Sequence, residues 1–232
     1  MVNEPTPSRE LLDGARAIVP LAIGVAVYGL AFGLLASNAG FSWQETGIMG
    51  AAVLAGSSQI VAVERLAAGA GVATAFVAGM ALNLRLVLIT ASVRDMFAGR
   101  PLWQRVLGAH MATDENWALT IARRAERPEI GFWFLVGGGL MLLVTWVTAS
   151  VLGVVFAAGI PEPEAYAFDF AFTAAFIAIA RSLWRGRRDL RPWLVAAGVA
   201  LAISLSGLLD SSWAIVLGGL SGAATAAVFG DD

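Results

Sequence analysis

What most constrains this chain is where its charges are missing. Asp, Glu and Arg gather in a few short runs, and the stretches between them stay nearly uncharged for about 20 residues. At 1.5 Å rise per residue, roughly 20 helical residues cross a ~30 Å hydrocarbon core. Only 14% of the residues are charged, against about 25% in soluble domains. The apolar runs are continuous, without the ~10-residue alternation of a transmembrane barrel. The pattern predicts an all-α, polytopic helical membrane protein with about seven to eight transmembrane segments. Residues 1–16 read as a cytoplasmic tail and 17–230 as one transmembrane domain.

The first span covers about Ile18 to Ser37 and holds Gly29-Leu-Ala-Phe-Gly33, a spacing that lets another helix approach closely. Further spans are expected at Gly47–Val63, Val72–Val93, Gly131–Phe156, Ala167–Leu183, Leu194–Leu209 and Trp213–Phe229. The segment Val106–Ile121 is ambiguous because it carries His110, Asp114, Glu115 and Asn116. It reads either as a crossing with a polar middle or as a re-entrant or interfacial helix. Its two arginine-bearing flanks favour re-entry, whereas counting spans favours a crossing.

Sidedness follows from arginine, since all fifteen basic residues are Arg. Arg94–Arg105 carries three arginines and Trp184–Arg191 four, each with one aspartate, so both read as cytoplasmic loops. Asn38–Thr46 has no basic residue, and Ala157–Tyr166 is acidic and proline-rich, so both read as external. The N-terminus lacks a basic run leading into a short apolar core, and no cleaved signal peptide is expected. Ala52–Leu66 and Phe168–Leu183 show a faint internal repeat, placing Ser57 near Thr173 and Arg65 near Arg181.

Two spans carry polar residues that a purely structural membrane helix does not need. Gly56-Ser57-Ser58-Gln59 interrupts the second, where small and hydroxyl residues weaken the helix and offer hydroxyl, amide and freed backbone groups. The same residues also serve as glue between helices. Asn83 and Arg85 interrupt the third. Arg85 lies nine residues before Arg94, about 13 Å of helix, too deep to snorkel easily. An arginine held there costs about 2.5–3.5 kcal/mol and pairs with a carboxylate or binds an anionic group. His110 and Asp114 share a helix face at i,i+4 spacing, which suits a proton relay, with Glu115 as a second acid. On an interfacial helix the three would simply form its wet face. Asp169, set among Phe168, Phe170 and Phe172, reads equally as an N-cap or as a partner for a substrate ammonium.

With no cysteine and one histidine, thiol, disulfide and multi-histidine metal chemistry are excluded. No P-loop is available, because that motif needs a lysine. No cofactor, no enzymatic activity and no nucleic-acid partner are expected.

The order of these elements resembles the AzlC-type branched-chain amino acid permease family: a Gly-rich first span with proline, then A-G-S-S-Q, N-L-R, T-D-E at Thr113–Glu115 and F-D-F at Phe168–Phe170. The resemblance extends over about Ala15 to Phe229. It departs at Leu86, where many members carry histidine, which puts a proton-coupling role for that residue in doubt here. The resemblance implies export of valine, leucine and isoleucine across a bacterial inner membrane, together with a small AzlD-type membrane subunit. On that reading Gly56, Ser57, Ser58, Gln59, Asn83, Arg85 and Asp169 contact substrate. His110, Asp114 and Glu115 serve proton coupling. Phe172 and Phe176 line an apolar wall.

Overall fold

Half-length helices give this structure its character. The computed structural model describes residues 6–157, 181, 184, 186–207 and 211–229, and these contain helices and no strand. In order they are α1 (Pro7–Ala17), α2 (Val19–Asn38), α3 (Trp43–Val53), α4 (Gly56–Ala67), α5 (Val72–Ser92), α6 (Leu102–Met111), α7 (Asp114–Glu126), α8 (Phe132–Ala157), α9 (Leu190–Ser206) and α10 (Ser211–Phe229), with short 3-10 turns at Arg94–Phe97 and Arg187–Asp189. Four helical stretches are long and apolar enough to cross a bilayer: α2, α5, α8, and Arg187–Ser206, which ends in α9. The described residues form two compact units, one holding α1–α8 and the other α9–α10.

Helix α8 is the post on which the first unit is hung. Helix α2 runs parallel to it, Gly29 facing Trp146–Ser150 and Gly33 facing Ser150–Val154. A Cβ at Gly33 would collide with the Ser150 backbone, so the Gly29/Gly33 pair does what the sequence spacing predicted. Helix α1 lies across the first turns of α8, where Gly14 meets Phe134 and Leu11 meets Gly137. The Glu10 carboxylate accepts the Gly131 N–H at the entry to α8. The N-terminal tail is thus a docked amphipathic helix.

The expected second span, Gly47–Val63, is not one helix but two, α3 and α4, broken at Leu54-Ala55. Leu54 takes a left-handed conformation (φ 41°) and Ala55 is off-helix (φ −144°). The break therefore precedes Gly56-Ser57-Ser58-Gln59, which forms the first turn of α4. Eleven and twelve residues make about 16 and 18 Å of helix, each roughly half a hydrocarbon core. Helix α3 runs antiparallel to α8, with Gly47 against Val151 and Gly50 against Trp146 and Val147. Helix α4 then doubles back beside α5, Ser58 and Ala62 facing Gly79.

The ambiguous 106–121 segment is also split, into α6 and α7, at Ala112-Thr113. Its outer ends return to the same place. Arg100, just before α6, lies 4.1 Å over the Phe132 ring at the start of α8. Arg124, late in α7, pairs with Asp95 (2.5 Å), two residues from Phe97, which itself packs edge-on against Phe132. The segment therefore turns back rather than continuing along α8.

The core sits where the two breaks meet α8. Tyr28, Phe32, Leu54, Ile60, Met111 and Trp146 are buried together, and a second cluster joins Ile89, Val93, Met96, Ala112 and Leu135. In the other unit, α9 and α10 form an antiparallel pair in which Gly222 faces Pro192 and Ala196, and Gly218 faces Ala196 and Ala200. Gly207 ends α9 at φ 63°. The proposed repeat partner 168–183 lies outside the described residues apart from Arg181, as does Asp169 with Phe172 and Phe176.

Candidate functional site

Arg85 holds the ends of two broken helices at once. It projects from the middle of α5, and its Nη2 donates to Ser57 Oγ (2.7 Å) in the first turn of α4. The same nitrogen lies 2.8 Å from Asp114 Oδ2, the first residue of α7. Both charged side chains are only half-buried. The three residues lie in separate segments of the sequence, and the fold makes them neighbours. Arg85 Nε and Asn83 Oδ1 are buried and make no hydrogen bond among the described residues.

Each helix start is shaped by its own residues. Helix α4 opens with Gly56, where a Cβ would meet the Trp146 ring at 2.8 Å and Tyr28 at 3.1 Å. Only glycine lets the chain approach those rings so closely. No side chain caps this end, so the N–H groups at its start and the helix dipole leave it electropositive. Ser58 is buried and returns its hydroxyl to Ala55 O (2.8 Å). Helix α7 opens with Thr113, whose hydroxyl accepts from Asn116 N, followed by Asp114 and Glu115 where the dipole favours acids. Asn116 pins this turn to α8 by donating to Met111 O (2.8 Å) and Leu135 O (2.7 Å).

Gln59 and His110 are the struts. Gln59, 1% exposed, donates to Met49 O on α3 (2.7 Å) and accepts from Trp146 Nε1 on α8 (2.8 Å). It ties both halves of the broken helix to the central post. His110 Nε2 lies 2.9 Å from Ala51 O on α3. A carbonyl only accepts, so Nε2 carries the proton in this contact.

Tyr28 and Trp146 belong to the site although sequence reasoning did not single them out, and so do Thr113 and Asn116, which the sequence marked without giving them a role there. Trp146 had a usable signal. It stands fourteen residues into α8, far from the interfacial belts, and an indole N–H at that depth needs an acceptor.

The family profile described as AzlC protein matches residues 20–160. The chain belongs to the AzlC family. The match takes in α2 from its second residue and all of α3–α8, and therefore every described residue of the site. Among relatives, Inner membrane protein YgaZ of Escherichia coli (strain K12) is 29% identical, covering 98% of this chain and 96% of its own. Branched-chain amino acid transport protein AzlC of Bacillus subtilis (strain 168) is 24% identical, covering 79% of this chain and 72% of its own. An uncharacterized membrane protein of Helicobacter pylori (strain J99 / ATCC 700824) is 24% identical over 86% of each. No solved structure matches the chain. Apolar helices of spanning length and membrane-protein relatives agree on a multi-pass membrane protein.

Proposed function

We propose that this chain moves branched-chain amino acids across the bacterial inner membrane as the main subunit of an ion-coupled secondary exporter, together with a small AzlD-type membrane partner. The substrate class is supported by the Bacillus relative's name. Direction and partner rest on the family resemblance.

The observation that carries the reading is the Arg85–Asp114 pair at 2.8 Å, with Ser57 on the same guanidinium nitrogen. An amino-acid zwitterion carries the complementary charges. Its carboxylate would take Arg85, Ser57 and the electropositive start of α4; its ammonium would take Asp114. Substrate then replaces an internal ion pair rather than meeting a bare buried charge, which limits the desolvation cost on entry. Asn83, two residues before Arg85 on α5, stays a candidate on the strength of its buried, unbonded Oδ1. Glu115, next to Asp114, would carry the coupling proton, so that Asp114 stays ionised to meet the ammonium. Gln59, Ser58 and His110 act by holding the two helix starts. Asp169 stays a candidate outside the described residues. The work is binding and release, with no bond made or broken.

The test is efflux of valine and leucine from preloaded cells, with and without the partner, comparing wild type with Arg85→Ala and Asp114→Asn at equal membrane levels. Charge-assisted hydrogen bonds contribute about 1.5–3 kcal/mol each, so each variant should lose about tenfold or more in efflux rate. Wild-type efflux from Arg85→Ala at normal abundance would refute the substrate role of the pair.

A further inference from the structure

We propose that 43–67 and 102–126 are re-entrant hairpins entering the membrane from opposite faces, their tips meeting at mid-depth to close the transport path, with His110 as the positioning residue that holds one tip to the other. The topology stands independently of the substrate; the closing role rests on the function proposed above.

Length comes first. Helices α3, α4, α6 and α7 have 11, 12, 10 and 13 residues, about 15–20 Å each. None of the four crosses a ~30 Å core, and each reaches its middle. Direction comes next. Helix α3 descends beside the second half of α8, from Val151 to Trp146, and α4 climbs back beside α5 towards the Ala68–Gly71 turn. Helix α5 is 21 residues long, about 31 Å, and its other end lies beside Phe132 through Phe97. Both outer ends of α3–α4 therefore lie opposite the start of α8. Both outer ends of α6–α7 lie at that start, through Arg100 on Phe132 and Arg124 on Asp95.

Arginine gives an independent vote. In this topology Arg94, Arg100, Arg105, Arg123, Arg124 and Arg127 all fall on one face, the face of α1 with Arg9 and Arg16. The opposite face of this unit has only Arg65, beside Glu64. A crossing at 47–63 would instead send the 94–105 arginines to the outside, against the positive-inside rule.

Non-helical backbone at membrane depth is tolerated where protein buries it. Leu54, Ala55, Met111 and Ala112 are 6%, 5%, 2% and 1% exposed. The tips are also tied. Helix α3 ends two residues after Ala51, whose carbonyl is one of the last four without a helical partner; His110 from the other hairpin supplies one. Arg85 makes the second tie, between Ser57 and Asp114.

The chain has no cysteine, so single cysteines report cleanly. Asn38→Cys, Ala68→Cys, Ala98→Cys and Glu129→Cys, all at exposed positions, are each treated with a membrane-impermeant maleimide in spheroplasts, before and after permeabilisation. Asn38→Cys and Ala68→Cys should label in intact spheroplasts, and Ala98→Cys and Glu129→Cys only after permeabilisation. Ala68→Cys protected until permeabilisation would overturn the first hairpin; Ala98→Cys and Glu129→Cys on different sides would overturn the second. For His110, the labelling rate of buried Ala112→Cys should rise severalfold with His110→Ala and stay near its parent with His110→Gln, whose amide can still donate. An unchanged rate in His110→Ala overturns the tie. Absence of wild-type efflux would defeat the transport reading while leaving the labelling pattern intact.

Discussion

Replacing Trp146 by Phe keeps an aromatic ring against Phe32 and Tyr28 and removes one N–H. That N–H donates to Gln59 Oε1 at 2.8 Å, between side chains 3% and 1% exposed. Orphaning a buried amide oxygen costs about 1–3 kcal/mol. Interhelical hydrogen bonds in a membrane protein average about 0.6 kcal/mol, with a maximum near 1.7. Gln59 sits at a buried junction of three helices with its amide nitrogen already engaged by Met49 O, so it has nowhere to turn, and a value in the upper part of that range, about 1–1.7 kcal/mol, is expected. A double-mutant cycle isolates it: Trp146→Phe, Gln59→Leu and both together, with thermal stability in detergent read as the monodisperse fraction surviving heating. Taking about 2–4 °C per kcal/mol for a chain of this size, the double variant should melt about 2–7 °C above the sum of the single losses. Additivity within a degree would refute the strut, and with it the strut's part in fixing the break at Leu54-Ala55.

Two further outcomes test the packing and the arginine-rich face. Gly33→Leu drives a side chain into the Ser150–Val154 backbone, which neither helix can yield without separating; overpacking of this kind costs about 1–3 kcal/mol or more, and size-exclusion should show loss of the monodisperse peak, whereas a normal peak would disprove the close α2–α8 crossing. Asp95 is held below the usual carboxylate range by hydrogen bonding from Arg124. A depressed folded value means its stabilisation is present above the ordinary pKa, about 3.9, and is lost as pH falls through the folded value. Because the Asp95 side chain is largely exposed, the effect should stay below about 1 kcal/mol, so Asp95→Asn should melt slightly below wild type at pH 7 and converge with it in acid. Parallel pH profiles would contradict the pairing.

How far the sequence carried the reading depends on the range of each interaction. Hydropathy reports local composition, so α2, α5 and α8 appear within a few residues of their expected bounds. Gly29 and Gly33 announced a close crossing because small residues four apart leave a groove whatever fills it. The second span failed for a physical reason. Residues 47–63 are apolar enough to pass as one helix, and the turn at Leu54 carries no Gly or Pro to announce it. What holds Leu54 at positive φ is tertiary: its burial with Tyr28, Met111 and Trp146, and the Gln59 strut across to Met49 and Trp146. The Gly-Ser-Ser-Gln run signalled trouble at the right depth and misplaced it by two residues, because those residues start the new helix rather than end the old one.

The depth of Arg85 and the side of the Arg94–Arg105 loop have one cause. Arg85 looked too deep, and the Arg94–Arg105 loop sat on the wrong side of any count that began with a cytoplasmic N-terminus and treated 47–63 as a crossing. Turning 43–67 back on itself removes one crossing, and the loop then falls beside Arg123, Arg124 and Arg127. The same reversal brings Ser57 to mid-depth at a helix start, where an arginine seven residues before the end of α5 has something to hold. Asp114 reaches that guanidinium only because α6–α7 reverses at Thr113. A straight helix through either segment would carry one of Arg85's partners away from it, leaving a charge in hydrocarbon that costs about 2.5–3.5 kcal/mol. The cost of burying Arg85 and the sidedness of the arginine loops therefore require the same pair of turns.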